Sequence, residues 1–501
     1  MRRRGRGNAM ASAANRFACM RGHLRAVTLA DVFDVRVLGL ALSLAWSSVT
    51  FFSTVVHFST RNDVSHFNSV VGFSSLGMLA VLVAAALLPR LFARVMSARA
   101  VRWSVPGIMA AMTVVLVVVD HDVFRQPWCS IAATCAGAGL GVLYLAWADE
   151  FRKLDAAQSV VKAVCSFLLA AVAFALVVAL PRELAVVLTV LMPLVAGAVL
   201  FARIGAWREM APPEPSTLRR GAFSIRAVLS IGALALSESF MRALFLNASP
   251  IINEGSYPWL FLVASMASVA LICGPLFSAR ELDFGAAYQA TVFALGFIFL
   301  LLPILDLGTV PADILALVSY STVTMLTWIV LTRIIGLYRL STLFAFGIGW
   351  SAYVAGSLAG TFGAALLSSF WELEPRVLSI VELVCVCLLF FAYLFLFNER
   401  SMMRLLGGPS GDDRRPFRAR CEQVAREHEL TAREAEIMVL VAKGRSTPRI
   451  QKQLGLTAGT VNTHLAHLYR KLDVHDKQEL IDLLEERRGE ARPEAQAKSA
   501  Q

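Results

Sequence analysis

Residues 456–474 read LTAGTVNTHLAHLYRKLDV. Walked at about 100° per residue, Val461, Leu465, Leu468 and Leu472 fall in one stripe, which must face a core. The opposite side carries Asn462, Thr463, Ala466, His467 and Arg470. A helix buried along one stripe and presenting short polar side chains and an Arg on the other fits the DNA major groove. Thr457 stands where this helix, expected over 458–471, needs its N-cap.

The flanking residues extend the pattern. Thr431 with Glu434 three residues on makes a capping box. Ile437, Met438, Leu440 and Val441 form the apolar stripe of a first helix, which Gly444 ends with a left-handed cap. Ser446 or Thr447 caps a second helix, with Pro448 in its first turn. Gly455 makes the tight turn into the third. Asp476 caps a fourth helix, whose Leu480, Ile481, Leu483 and Leu484 exceed what a small core needs. That excess predicts a dimer seam.

LTARE (430–434), G-x-S (444–446), LGLT (454–457), TVxxH (460–464) and KLxV (471–474) together resemble the LuxR-type helix-turn-helix family. The resemblance covers 430–484 only. It implies that the third helix reads double-stranded DNA and that the fourth pairs two copies on a two-fold site. It places phosphate contacts on Thr460, Arg470 and Lys471, base-edge contacts on Asn462, Thr463 and Ala466, and His467 beside them. Glu434 matches an internal polar anchor. Many members have Lys at the positions of Asn462 and Ala466. Asn pairs bidentately with adenine and an Ala methyl touches the thymine methyl, so the expectation is reading with fewer charges and weaker non-specific affinity. Arg449 and Gln451 stand where Glu and Ala are usual, which would rewire the second helix. From 414 to 488 there are 15 Lys/Arg and 11 Asp/Glu, a modest excess for a DNA binder.

Upstream the material changes. The 501-residue chain is 57% hydrophobic and only 17% charged, against about 25% charged in a soluble domain. From Val37 to Phe397 it runs as successive apolar stretches of about 20 residues, the length that crosses a bilayer core. Twelve spans are expected, near 37–58, 67–88, 103–119, 128–148, 159–180, 184–202, 227–246, 258–279, 285–303, 312–332, 341–367 and 377–397. They lack the alternation of barrel strands, and open strands cannot satisfy their backbone in lipid, so they are helices.

Taking the N-terminus as cytoplasmic, the inside loops hold fourteen Lys/Arg and the outside loops four: Arg61, Arg125, Arg182 and Arg376. That is the positive-inside pattern. An even number of spans returns the C-terminus to the cytoplasmic side of an inner membrane. The longest internal loop, GAWREMAPPEPSTLRRGAFSIR (205–226), divides the body into two halves of six spans. Span count and central loop resemble the major facilitator superfamily, which implies two six-helix bundles around a midplane cavity. That family's Gly–Asp–Arg–Gly–Arg type signature is absent from PRLFARVMSARAVRW (89–103).

Within the spans, Glu238 and Arg242 sit four residues apart (SESFMRALF, 237–245) and can pair on one face. They are either a structural ion pair or a ligand-binding pair lining the cavity. Lys162 and Glu382 lie nearer span ends and read as snorkelling or loop-facing. Gly356 and Gly360 form a GxxxG, read as close packing within the bundle. Trp46, Trp147, Trp259, Trp328 and Trp350 read as core or interfacial belt. The eight Cys have no zinc spacing, and there is no phosphate loop, nucleophile elbow or HExxH. No catalytic, metal or cofactor site is expected, and no enzyme.

The fold class read here is all-α: a polytopic membrane bundle of six plus six spans with a C-terminal four-helix LuxR-type domain. Its parts are a basic arm (1–36), half one (37–202), a central loop (203–226), half two (227–397), a linker (398–428), the helix-turn-helix (429–488) and a polar tail (489–501). The arm holds seven Arg before residue 26. It suits anionic lipid, or else marks an over-long start with Met10 or Met20 as the first residue. Gly407, Gly408 and Pro409 break the linker, whose roughly 20-residue coil spans about 25 Å. The function expected is a membrane-embedded transcriptional regulator that senses a small molecule or lipid and acts on DNA as a homodimer. The alternative is a secondary transporter with a regulatory tail.

Overall fold

The computed structural model describes residues 34–53, 55–57, 64–119, 125–154, 156–203, 225–247, 257–278, 284–301, 310–338, 340–370, 375–391, 421, 424–425, 428–442, 447–476 and 479–480. The chain separates into two compact units, Met1–Gly408 and Pro409–Gln501. Among the described residues every regular element is a helix.

The first unit carries α1 (Val35–Phe52), α2 (Val64–Leu87), α3 (Pro89–Ser97), α4 (Arg99–Val119), α5 (Arg125–Arg152), α6 (Ala156–Val178) and α7 (Arg182–Arg203) in its first half. The second half is α8 (Ile225–Asn247), α9 (Tyr257–Ser278), α10 (Phe284–Leu301), α11 (Val310–Tyr338), α12 (Thr342–Phe370) and α13 (Pro375–Phe391). One long helix stands over each of the twelve expected spans. Ten of them are long and apolar enough to cross a membrane, while α10 contributes a shorter apolar stretch and α13 has 17 residues.

Two local expectations are corrected. The first span is expected over 37–58, but α1 stops at Phe52. Ser53 turns extended, donates to the Val49 carbonyl at 2.6 Å and accepts from Val55 N. A short polar side chain there offers the backbone an exit from the helix. The stretch after span two, read as a loop, holds the nine-residue α3. Pro89 starts it, Ala93 and Met96 face inward, and Arg90 and Arg94 stay exposed. Its apolar positions are too few for a span, so a hydropathy reading passes over it.

In lipid, helices gain little from apolar contact alone and rely on close packing. Small residues supply it here. A Cβ on Gly77 of α2 would strike the Thr134 carbonyl of α5, and one on Gly137 of α5 would strike the Ser74 carbonyl of α2. In the other half, Gly356 and Gly360 of α12 lie against the backbone of α8 at Gly232 and Leu236. The GxxxG is thus a packing face within the bundle, as read. The halves meet along α2 with α12 and α6 with α9.

A buried aromatic cluster also joins the halves. Tyr144 and Phe151 of α5 stand edge-on to Trp328 of α11, and Trp350 stacks on Phe346 of α12 at 5.3 Å. Beside it, Asp149 of α5 accepts from Thr342 Oγ1 of α12 at 2.7 Å and from Arg152 Nε at 2.5 Å. Trp46, Trp147 and Trp328 are fully buried, Trp350 nearly so, and Trp259 is exposed. Lys162 does not snorkel: its side chain is buried and its ammonium donates to Asp34 at 2.6 Å. The Asp34 anion lies within reach, so the charge pairs instead of climbing to water. The side chain of Glu382 lies outside the described residues.

Gly137→Val should force apart two backbones that now touch. An overpacked site costs about 1–3 kcal/mol, read as a lowered unfolding midpoint of the detergent-solubilised protein. Gly107→Ala, where a Cβ meets nothing within 4 Å, should leave that midpoint unchanged or raise it.

Candidate DNA-reading helix and membrane cavity

The second unit folds around α14 (Ala432–Ala442), α15 (Thr447–Leu454) and α16 (Ala458–Leu472). Its core is Ile437, Met438, Val441, Ile450, Val461 and Leu468, with Leu472, Val474 and Leu480 closing it. The capping box forms as read: Thr431 N–H donates to Glu434 Oε2 at 2.8 Å, and Glu434 N–H to Thr431 Oγ1 at 3.3 Å. Gly455, at φ 66°, makes the turn between α15 and α16. Thr457 accepts from Thr460 N and caps α16. That helix ends on Asp473 in the left-handed region, a conformation Asp tolerates better than most. Gly444 lies outside the described residues.

Val461, Leu468 and Leu472 are buried and Leu465 half-buried, so the stripe faces the core. Thr460, Asn462, Thr463, Ala466, His467, Arg470 and Lys471 are all exposed. The exposed face is not uniform in what it offers. Lys471 donates to Glu434 Oε2 at 2.8 Å and to the Glu429 carbonyl at 3.1 Å. Its ammonium therefore fastens α16 to the start of α14, and the phosphate role that resemblance implies for it meets a competing partner. Arg470 has no such partner among the described residues. Thr463 Oγ1 donates to the Gly459 carbonyl at 2.9 Å.

The fourth helix begins where expected. Glu479 N–H donates to Asp476 Oδ1 at 2.8 Å and His475 N–H to Glu479 Oε2 at 2.6 Å. Leu480 is fully buried in the domain's own core. It is therefore spent within one copy, a correction to the dimer seam. Ile481, Leu483 and Leu484 lie outside the described residues.

In the membrane unit a cavity of about 150 Å³ opens between the halves. Its wall combines aromatics such as Phe52, Phe261 and Tyr320 with hydroxyls such as Ser47 and Thr361. Glu238 and Arg242 pair on α8 at 3.1 Å, with Glu238 fully buried. Ser239 donates to the other Glu238 oxygen at 2.9 Å. Arg242 lines the cavity, its guanidinium 5.0 Å from the centroid of Tyr320. Only Nε is taken by Glu238, so the remaining nitrogens of the fork are left without a partner among the described residues. The sequence-level alternatives merge: the pair is structural at Glu238 and opens to the cavity at Arg242. Tyr320 and Tyr353, which join this wall with Thr324, were not singled out from sequence. They lie far along the chain from Arg242 and carry no spacing signal.

Electrostatics in the second unit centre on Glu434. The Lys471 ammonium holds its carboxyl down to about 2, helped by the Thr431 N–H and opposed by burial. A depressed carboxyl stabilises the fold above its ordinary value of 4.5 and loses that contribution as pH falls toward 2. Glu434→Gln should therefore loosen α14 and α16 at pH 7. The gap to the unaltered chain should close between pH 4.5 and about 2, read by hydrogen exchange of those helices in the intact protein. A gap that does not change with pH would remove Lys471–Glu434 as the fastening.

Residues 428–484 match the family model of bacterial regulatory proteins, luxR family. Relatives agree over the same region. An uncharacterised response regulatory protein of Escherichia coli K12, YgeK, is 40% identical over 65 residues, covering 12% of this chain and 44% of the relative. The Bacillus subtilis transcriptional regulatory protein LiaR is 44% identical over 48 residues, 10% of this chain and 23% of the relative. The Staphylococcus aureus response regulator protein VraR is 40% identical over 52 residues, 10% and 25%. The chain spans less than half the length of these curated relatives. Among solved structures, the human organic anion transporter MFSD10 covers 73% of this chain and 99% of its own at 14% identity and TM-score 0.48. The major facilitator transporter FucP, in its outward conformation, covers the same shares at 10% identity and TM-score 0.48. The chain carries a LuxR-type helix-turn-helix domain toward its C-terminus, and its larger unit is a bundle with ten described helices long and apolar enough to cross a membrane.

Proposed function

We propose that this protein is a membrane-embedded transcriptional regulator. Its bundle senses a small molecule or lipid, and its C-terminal domain binds double-stranded DNA as a homodimer. The observation that carries the reading is the two-faced α16: one stripe closes the core while seven polar or small residues face outward. The basic bias of the predicted inside loops puts both termini in the cytoplasm, where DNA is. Asn462, Thr463 and Ala466 meet base edges with His467 beside them, and Thr460 and Arg470 meet phosphates. Lys471 reaches a phosphate only by leaving Glu434. Ile481, Leu483 and Leu484 supply the dimer seam.

The cavity supports the sensing half. A ligand that binds one arrangement of the two halves better than another shifts their balance. Arg242, with part of its fork unengaged among the described residues, is the group best placed to grip it, and Glu238 holds that fork in position. The same cavity also supports a second reading, a secondary transporter with a regulatory tail.

The full chain in lipid nanodiscs should select a two-fold site from random duplexes, and Thr463→Glu should abolish the selection by setting a carboxylate against DNA. Genome-wide mapping of the intact protein in cells should find such sites. Folded, dimeric protein that selects no sequence would overturn the regulator. Solute uptake into proteoliposomes that depends on Arg242 would favour the transporter.

A further inference from the structure

Three observations on α16 bear on what it reads. Thr463 spends its hydroxyl proton on the Gly459 carbonyl at 2.9 Å. The oxygen is turned back along the helix, so the exposed side chain offers its methyl and has no proton to donate. Ala466 is also exposed and offers only a methyl. It lies three residues from Thr463, and such pairs are neighbours on a helix surface. Asn462 is exposed, four residues before Ala466, and no described residue engages its amide. The patch therefore consists of two methyls and one primary amide, with no cation among them.

Base edges differ in what they ask for. Guanine shows two acceptors, which Arg or Lys satisfies with two donors; adenine shows one donor and one acceptor, which an amide matches; thymine shows a methyl. Resting on the reading that α16 enters the major groove, we infer that its target carries an A·T core in each half-site. Asn462 is bonded there to an adenine, and the Thr463 and Ala466 methyls pack on the 5-methyl groups of neighbouring thymines. Thr463 is a specificity residue through its methyl, with its hydroxyl holding the rotamer. Arg470, one turn beyond Ala466, serves the phosphate backbone.

Gly459 fits the same picture. A Cβ there would meet nothing within 4 Å, and its φ is not left-handed. A glycine inside a helix costs about 1 kcal/mol relative to alanine. The domain's own packing does not demand it, and on this reading a bare first turn lets DNA come close.

The test uses the full chain in nanodiscs and the duplex it selects. The selected half-site should have an A·T core. Replacing thymines there one at a time with deoxyuridine removes single methyls, and each contacted position should lose about fourfold in affinity. Thr463→Ser keeps the hydroxyl and drops the methyl, so it should erase the thymine-over-uracil preference at one position. Thr463→Val keeps the methyl and should keep that preference. A G·C core, deoxyuridine without effect at every position, or loss of the preference in Thr463→Val but not in Thr463→Ser would each overturn the inference while leaving DNA binding intact. Selection of no duplex at all would overturn the regulator reading and this one with it.

Discussion

An apolar side chain on a membrane helix gains almost nothing by exchanging lipid for another helix. The large unit is built under that constraint. Its α2–α5 and α8–α12 seams are set by glycines that let carbonyls come within reach of a facing Cα. Bulk at these points holds nothing together; it would hold the helices apart. Between the halves the same task falls to flat rings. Tyr144, Phe151 and Phe346 stand edge-on to Trp328, and Trp350 stacks on Phe346, so the five rings make one continuous contact.

The second consequence concerns charge. A charge inside a bilayer is expensive unless it is paired or faces water. Asp34 with Lys162 and Asp149 with Arg152 and Thr342 meet this by pairing near helix ends. Glu238 and Arg242 meet it differently. The carboxylate is sealed and held by Ser239, while the guanidinium keeps one edge toward a cavity and one face toward Tyr320. This leaves guanidinium nitrogens without a hydrogen-bond partner among the described residues, beside the cavity that Arg242 lines.

The run of apolar helices and, among the described residues, the capping box and the two-faced third helix were legible because each rests on short-range regularity. Apolar runs have a length, a capping box has a spacing, and a buried stripe has a period. What was not legible rests on partners distant in sequence. Lys471 sits on the exposed side of its helix and read as a phosphate contact. Only the fold shows Glu434 and the Glu429 carbonyl beneath its ammonium. Leu480 read as surplus, because a linear list of leucines does not show which of them the core already uses. The α3 helix was hidden for the opposite reason: its pattern is regular but brief, and the basic residues that mark a loop also mark the wet face of a short helix.

A soluble DNA-binding protein needs surplus positive charge for two purposes, holding its site and sliding along the chromosome in search of it. On the reading proposed here the second purpose disappears. A domain anchored by a bundle of membrane helices does not travel along DNA; the DNA comes to it. Charges that would promote sliding would instead hold arbitrary chromosome against the membrane, in competition with the site. With the Lys471 ammonium engaged inside the domain and Asn462 and Ala466 uncharged, α16 keeps one cation, Arg470, open among the described residues. Affinity must then come from matched base edges and from pairing two copies, which makes the dimer the quantity that a ligand in the membrane can control. On the proposed reading, sparse charge on the reading face and a membrane sensor are one adaptation.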